Sequence, residues 1–194
     1  MNLFRAAVCL LLFFPFLPQY VFSQASSAGV YDVRVHYKKT MYPIPMRDGV
    51  KLFTVVYEPR DESKKYPIIF IRTPYGVGPY GPDEYKSQLG NNEFLMKSGY
   101  IFVFQDVRGR YMSEGTFQDV RPFKTVKKGK KDTDESTDTY DSVSWLLKKL
   151  NNHNGKVGLT GTSYPGFYAL MGALSNHPAI VAVSPQAPVA DWFA

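Results

Sequence analysis

Residues 157–172 read Val157-Gly158-Leu159-Thr160-Gly161-Thr162-Ser163-Tyr164-Pro165-Gly166-Phe167-Tyr168-Ala169-Leu170-Met171-Gly172. The apolar segment 157–159 predicts a short strand, and residues 167–174 predict a helix. Between them a serine stands at a strand-to-helix corner with Gly161 and Gly166 on either side. A corner of this kind holds its serine in a strained backbone conformation that lifts the hydroxyl clear of a sheet, so the neighbouring chain must carry little side chain. Pro165 suits the first turn of a helix, where a missing N–H is no loss. The helix then directs its unpaired N–H groups and the positive end of its dipole at the serine, where they would stabilise negative charge on a bound carbonyl oxygen. Ser163 is therefore the candidate nucleophile. Taken alone, the stretch also fits a serine that simply caps a helix.

Working outward, the elements alternate. Residues 31–37 set Val33 and Val35 against Arg34 and His36, a period-two pattern that predicts a half-buried strand. Residues 41–46 and 50–58 flank the turn signal Arg47-Asp48-Gly49 and predict an antiparallel hairpin. Ile68-Ile69-Phe70-Ile71 is apolar at every position, as a parallel strand covered on both faces requires, and 100–104 repeats the pattern. A helix is expected at 93–97, stopping at Gly99. In the next helix Tyr140, Val143, Leu146, Leu147 and Leu150 form one apolar stripe. After the 167–174 helix, 180–183 starts another strand. The order is that of a mostly parallel α/β sheet with a hairpin at its start.

Several local patterns carry chemistry or invite it. Arg72-Thr73-Pro74-Tyr75 closes the first interior strand, and ligands of open α/β sheets bind beyond such strand ends. Gly76-Val77-Gly78-Pro79-Tyr80-Gly81 formally matches a dinucleotide fingerprint. Pro79 and Pro82 lack the N–H groups a pyrophosphate needs, so a flexible loop at the site mouth is expected instead. Gln105-Asp106-Val107-Arg108-Gly109 and Ser113-Glu114-Gly115 follow the second interior strand; Asp106 and Arg108 are expected to order this loop by an ion pair, the alternative being contact with substrate. Asp134, Glu135 and Asp138 crowd a helix start and fit a cap and dipole role, since the glycine and terminal glutamate of a calcium loop are absent. Five lysines within 124–131 read as a solvated loop, with no aromatic alternation to mark a nucleic-acid surface.

Arg-Thr-Pro-Tyr at 72–75, Phe-Gln-Asp-Val-Arg-Gly at 104–109 and Gly-x-Ser-Tyr-x-Gly at 161–166 together resemble the X-prolyl dipeptidyl peptidase and cocaine esterase family. The likeness runs through most of the chain and looks nearest to the α-amino-acid ester hydrolases and cephalosporin acylases. The Gly-x-Ser-x-x-Gly spacing departs from the usual Gly-x-Ser-x-Gly of α/β-hydrolases. The resemblance implies an α/β-hydrolase fold and a serine hydrolase acting on ester or amide bonds. It also implies oxyanion donors from the Tyr75 phenol and the backbone N–H of Tyr164. A phenol suits that role because it donates while neutral. No cofactor or metal is implied; the expected partner is a small-molecule or peptide substrate.

Serine needs a base, usually a histidine oriented by a carboxylate. His36, His153 and His177 are all expected far from Ser163. Family order places the acid and then the histidine after the serine, and Asp191, the one acidic residue after Ser163, follows the next strand too soon to be that acid. The expectation is that residues 30–194 form the N-terminal part of a catalytic domain, with acid, base, helical cap and C-terminal jelly roll beyond Ala194. The alternative is a non-catalytic binding module.

At 194 residues and 44% hydrophobic the composition is globular. Residues 1–23 combine Arg5, an apolar run too short to span a bilayer and small residues near 21–23. They read as a secretory signal peptide, followed by a linker at 24–29 and implying a secreted or periplasmic protein without a stable membrane anchor. Cys9 is the single cysteine and lies within that segment, so thiol chemistry is excluded from the mature chain. The net charge is +6.

Overall fold

The computed structural model describes residues 31–90 and 93–190. The expected signal peptide, the linker and Asp191 lie outside the described residues. Ten elements follow in order: α1 Val33–His36, β1 Tyr37–Pro45, β2 Lys51–Pro59, β3 Tyr66–Thr73, α2 Glu93–Lys97, β4 Ile101–Asp106, α3 Glu135–Lys149, β5 His153–Thr162, α4 Tyr164–Ala173 and β6 Ile180–Gln186. The six strands form one sheet in the order β1-β2-β4-β3-β5-β6. β1 pairs antiparallel with β2, and β2 with β4; β4, β3, β5 and β6 are mutually parallel. The hairpin and the parallel α/β alternation expected from the sequence are both present.

The chain passes from β3 to β4 on one side and then crosses back to β5 on the other. This reversal makes β3 and β5 neighbours, in register from Ile68 beside Val157 to Phe70 beside Leu159. The segments leaving their carboxyl ends, which carry Tyr75 and Ser163, therefore emerge side by side. Ligand sites in open α/β sheets lie at such reversals.

Two expectations are corrected. Residues 31–37 are not a strand: Asp32 caps a single helical turn, its side chain accepting from the Arg34 N–H, and the strand begins at Tyr37. Two valines at alternate positions cannot by themselves tell a strand from one capped turn, and Tyr31 and Tyr37 both donate to the Met96 carbonyl. In β3 only alternate residues are buried, whereas all six of β4 are. Ile68 and Phe70 pack under α3 and α4 with Val143, Leu146, Leu159 and Ala169. Ile69 and Ile71 face a groove of about 620 Å³ shared with Leu95, Tyr100, Phe102, Gly158 and Thr160. Among the described residues that face of the sheet carries the short helices α1 and α2 and the loops beside them.

α3 buries Val143, Leu146 and Leu150 as its stripe predicts, while Tyr140 turns out to face Arg47 and His177. Its start is a full capping box. The Asp134 side chain accepts from the Thr137 N–H, and the Thr137 hydroxyl accepts from the Asp134 N–H. Burial alone would raise the Asp134 carboxyl. Hydrogen bonds from the Lys124 N–H, the Ser136 hydroxyl, the Thr137 N–H and Lys127 outweigh it and bring the pKa down to about 2. A folded pKa below the unfolded value means stability present above about pH 4 and lost as pH falls toward 2. Asp134→Ala is therefore expected to cost about 2 kcal/mol near neutral pH. The deficit should shrink below pH 3 in urea titrations, and a deficit that does not change with pH would refute the ionic part of the argument.

Candidate active site

Ser163 caps α4 with φ 61° and ψ −121°, and its side chain makes no capping bond. This backbone region is strongly disfavoured for a residue with a Cβ and costs on the order of 1–3 kcal/mol. Surrounding bonds hold it there. The Ser163 N–H donates to the Gln186 carbonyl at the end of β6, and the Phe167 N–H donates to the Ser163 carbonyl. Thr162 Oγ1 donates to the Gln186 side-chain oxygen. The two flanking glycines are needed for space. A Cβ on Gly161 would lie 2.2 Å from the Pro165 carbonyl oxygen, and one on Gly166 would lie 3.1 Å from the carbonyl oxygens of Gln186 and Gly161. With both sides kept bare, Ser163 stands exposed. The plain capping alternative is thus not the one adopted.

Tyr164 supplies the first amide of α4. Its ring stacks on Tyr168 at 5.2 Å and 8°, and meets the Tyr75 ring edge-on at 6.1 Å and 84°. Its phenol donates to the Asp119 carboxylate and accepts from the Val120 N–H. Burial, with the Asp119 hydrogen bond adding to it, pushes the Tyr164 phenol up, so it stays neutral. Tyr75 is 62% exposed, with its N–H donating to Thr73 Oγ1. The structure thus joins the two residues expected at the oxyanion, Tyr75 after β3 and Tyr164 directly after Ser163, through a ring-to-ring contact. Asp119 and Gln186 were missed in the sequence: neither lies in a recognisable pattern, and their partners are 45 and 23 residues away.

The loop after β3 is anchored, which corrects the expectation of a flexible mouth. Buried Asp106 accepts from the Val77 N–H, the Tyr80 phenol and the Met112 N–H. The Lys39 ammonium donates to the carbonyls of Pro79 and Gly81, and Lys86 to that of Gly78. Carbonyls of the glycine-rich loop turn toward cations, the reverse of a phosphate cradle. Asp106 and Arg108 do order their surroundings, though not by pairing with each other. Arg108 binds Asp138 and Asp48.

The acidic run 134–138 also does more than complement a helix dipole. Glu135 and Asp138 are counterions to Arg72, Arg108 and Arg121 in a buried cluster that joins β3, the loop after β4, the loop around residue 121 and α3. Arg72 also donates to Gln105 and lies over the Tyr168 ring. The cluster therefore braces the strand that leads to Tyr75 against the helix that follows Ser163.

The three histidines are engaged away from Ser163. His36 stacks on Tyr31, His153 contacts the Leu147 carbonyl at the opposite end of β5, and His177 pairs with the Ser144 hydroxyl. Ten residues of strand separate His153 from Ser163, about 30 Å at strand rise. Among the described residues no group of three or more His, Cys, Asp or Glu side chains is placed to hold a metal ion, and no helix is long and apolar enough to cross a membrane.

Comparison with known proteins bears on the family and the fold. The chain is 31% identical over 150 residues to the cocaine esterase of Rhodococcus sp. (strain MB1 Bresler), covering 77% of this chain and 23% of that protein. An aminopeptidase from a marine sediment Thaumarchaeota archaeon superposes with a TM-score of 0.69 at 39% identity, over 79% of this chain and 26% of the other. A selenomethionine-labelled α-amino acid ester hydrolase gives 0.69 at 36% identity, over 91% and 29%. The chain thus spans about a quarter of the length of these relatives. The family model for X-Pro dipeptidyl-peptidases (S15 family) matches residues 48–194. With that match covering most of the chain and the fold shared with these solved structures, the chain belongs to the X-Pro dipeptidyl-peptidase (S15) family.

Proposed function

We propose that the protein is a serine hydrolase that cleaves ester or amide bonds, peptide bonds included, through an acyl-enzyme. The observation that carries this reading is the exposed, strained Ser163 at the elbow with the Tyr75 ring seated against Tyr164. Ser163 Oγ gives its proton to a base and bonds to the carbonyl carbon, and the carbonyl electrons move onto oxygen. The Tyr75 phenol and the Tyr164 N–H donate to that oxygen. As the carbonyl reforms, the leaving group departs with a proton, and water repeats the sequence to release the acid. Acid and base come from residues other than the three histidines described. Labelling with a fluorophosphonate followed by peptide mass spectrometry should locate the adduct on Ser163; an adduct elsewhere would refute the assignment.

Tyr75→Phe keeps the ring contact and removes the donor. It is expected to lower kcat by about 10²–10³ with little change in KM, because the bond forms to the developing oxyanion. An unchanged kcat would remove Tyr75 from the oxyanion site.

The engagement of all three histidines elsewhere favours a second reading for these 194 residues taken alone, that they bind substrate without turning it over. Serine-dependent hydrolysis of nitrophenyl esters by this chain would reject it. Export is also proposed, through residues 1–23; N-terminal sequencing of the mature protein should begin near Gln24.

A further inference from the structure

The described arginines outside fully exposed positions are Arg47, Arg72, Arg108, Arg110 and Arg121. Four have a carboxylate partner: Asp141 for Arg47, Glu135 and Asp138 for Arg72, Asp138 and Asp48 for Arg108, and Glu135 and Asp138 for Arg121. Arg110 has none among the described residues.

Its guanidinium is nonetheless held in place. Nε donates to the Pro74 carbonyl at 3.0 Å, and the group lies over the rings of Tyr111 at 5.4 Å and Phe117 at 5.0 Å. The loop is built to bring Phe117 there. Gly109 has φ 71°, and a Cβ on it would lie 2.0 Å from the Phe117 nitrogen, so only glycine allows the two segments to close. With Nε engaged and two rings against the group, Nη1 and Nη2 are left as a two-donor edge.

The position of that edge is also informative. Pro74 is the residue before Tyr75, and Phe117 packs in the cluster of Tyr164, Phe167 and Tyr168 that follows the nucleophile. Arg110 therefore sits at the rim of the site, between the two segments assigned to the oxyanion. A guanidinium fork held in place, with no counterion among the described residues, is suited to a planar carboxylate, which it meets with two parallel charge-assisted hydrogen bonds. We propose that Arg110 is a specificity-determining residue that binds a carboxylate carried by the substrate, on the acyl half or the leaving-group half. The reaction itself rests on the hydrolase reading above.

Two probe series separate the halves. The first compares 4-nitrophenyl hemiesters of dicarboxylic acids of four to eight carbons with 4-nitrophenyl alkanoates of equal length. The second compares 4-carboxyphenyl acetate with 4-acetylphenyl acetate. In at least one series the full-length protein should favour the anionic ester at least tenfold in kcat/KM, with a preference that weakens as ionic strength rises. Arg110→Gln should lower that ratio tenfold or more, and Arg110→Lys should retain part of it. Loss of loop structure would depress both members of a pair and leave the ratio alone. A ratio unchanged in Arg110→Gln, or no anionic preference in either series, overturns the proposal.

A binding measurement keeps this independent of turnover. Calorimetric affinity of the Ser163→Ala protein for the preferred anionic probe, or for the six-carbon hemiester if neither series is hydrolysed, should weaken tenfold or more when Arg110→Gln is added. If no ester is turned over but this difference appears, the hydrolase reading fails and the Arg110 assignment stands. If turnover depends on Ser163 but neither ratio nor affinity responds to Arg110, the assignment alone fails.

Discussion

Ser163→Ala is expected to lower hydrolysis by about five orders of magnitude or more and to abolish fluorophosphonate labelling, because no other group would form the bond to the acyl carbon. Folding should not suffer. The side chain is exposed and makes no capping bond, so the change in unfolding free energy should stay within about 0.5 kcal/mol. Ser163→Gly gives a sharper structural test. At φ 61° and ψ −121° a Cβ is strained, and removing it should raise stability by about 1 kcal/mol while activity is lost. The pairing of higher stability with lost activity is the signature of a backbone held under strain for chemistry. Retained hydrolysis in Ser163→Ala, measured with an active-site titrant to exclude contamination, would refute the nucleophile. A stability loss in Ser163→Gly would mean that the elbow is not strained.

The second large effect belongs to Asp138, which is 0% exposed and receives hydrogen bonds from both Arg108 and Arg121, with Arg72 Nη2 at 3.8 Å. Burial would raise its carboxyl. The Arg108 hydrogen bond and the charges of Arg72, Arg108 and Arg121 hold it below the ordinary carboxylate range. Asp138→Asn preserves volume but leaves three buried guanidinium groups sharing Glu135 and Asp48. The expected cost is about 3–5 kcal/mol, because breaking a buried ion pair strands its partners. Set against a total stability of about 5–15 kcal/mol, this is a large fraction. Since the folded pKa is depressed, the contribution is present above the unfolded value near 4 and is lost as pH falls through the folded one. Urea unfolding of the Asn variant should show a lower midpoint at unchanged slope; a loss below about 1 kcal/mol would mean that the arginines find other partners.

The cluster shows where reading a sequence stops. Asp134, Glu135 and Asp138 look alike in the chain, all acidic and all at one helix start. Only Asp134 acts as the local rule predicts, because its capping partners, the Ser136 hydroxyl and the Thr137 N–H, lie within three residues. Arg72 is 63 residues from Glu135 and Arg108 is 30 from Asp138, and nothing in their spacing announces the pairing. Tyr164 and Asp119 are in the same position. The alternating valines of 31–37 failed for the opposite reason: the pattern was local, but too short to exclude a capped helical turn.

By itself the sequence determined what depends on neighbouring residues. It gave the apolar interior strands, the hairpin turn at Arg47-Asp48-Gly49, the α3 stripe, and the elbow with its two glycines, since steric exclusion and hydrophobic periodicity act over a few positions. Tertiary structure alone decided that β3 and β5 lie side by side. It also decided that Tyr75 reaches Tyr164, that the lysines pin the glycine loop, and that Arg110 has no carboxylate partner among the described residues. Those outcomes depend on which distant segments share a burial site. That is settled by the whole chain minimising unpaired charge and exposed apolar surface together, so no short window of residues contains it.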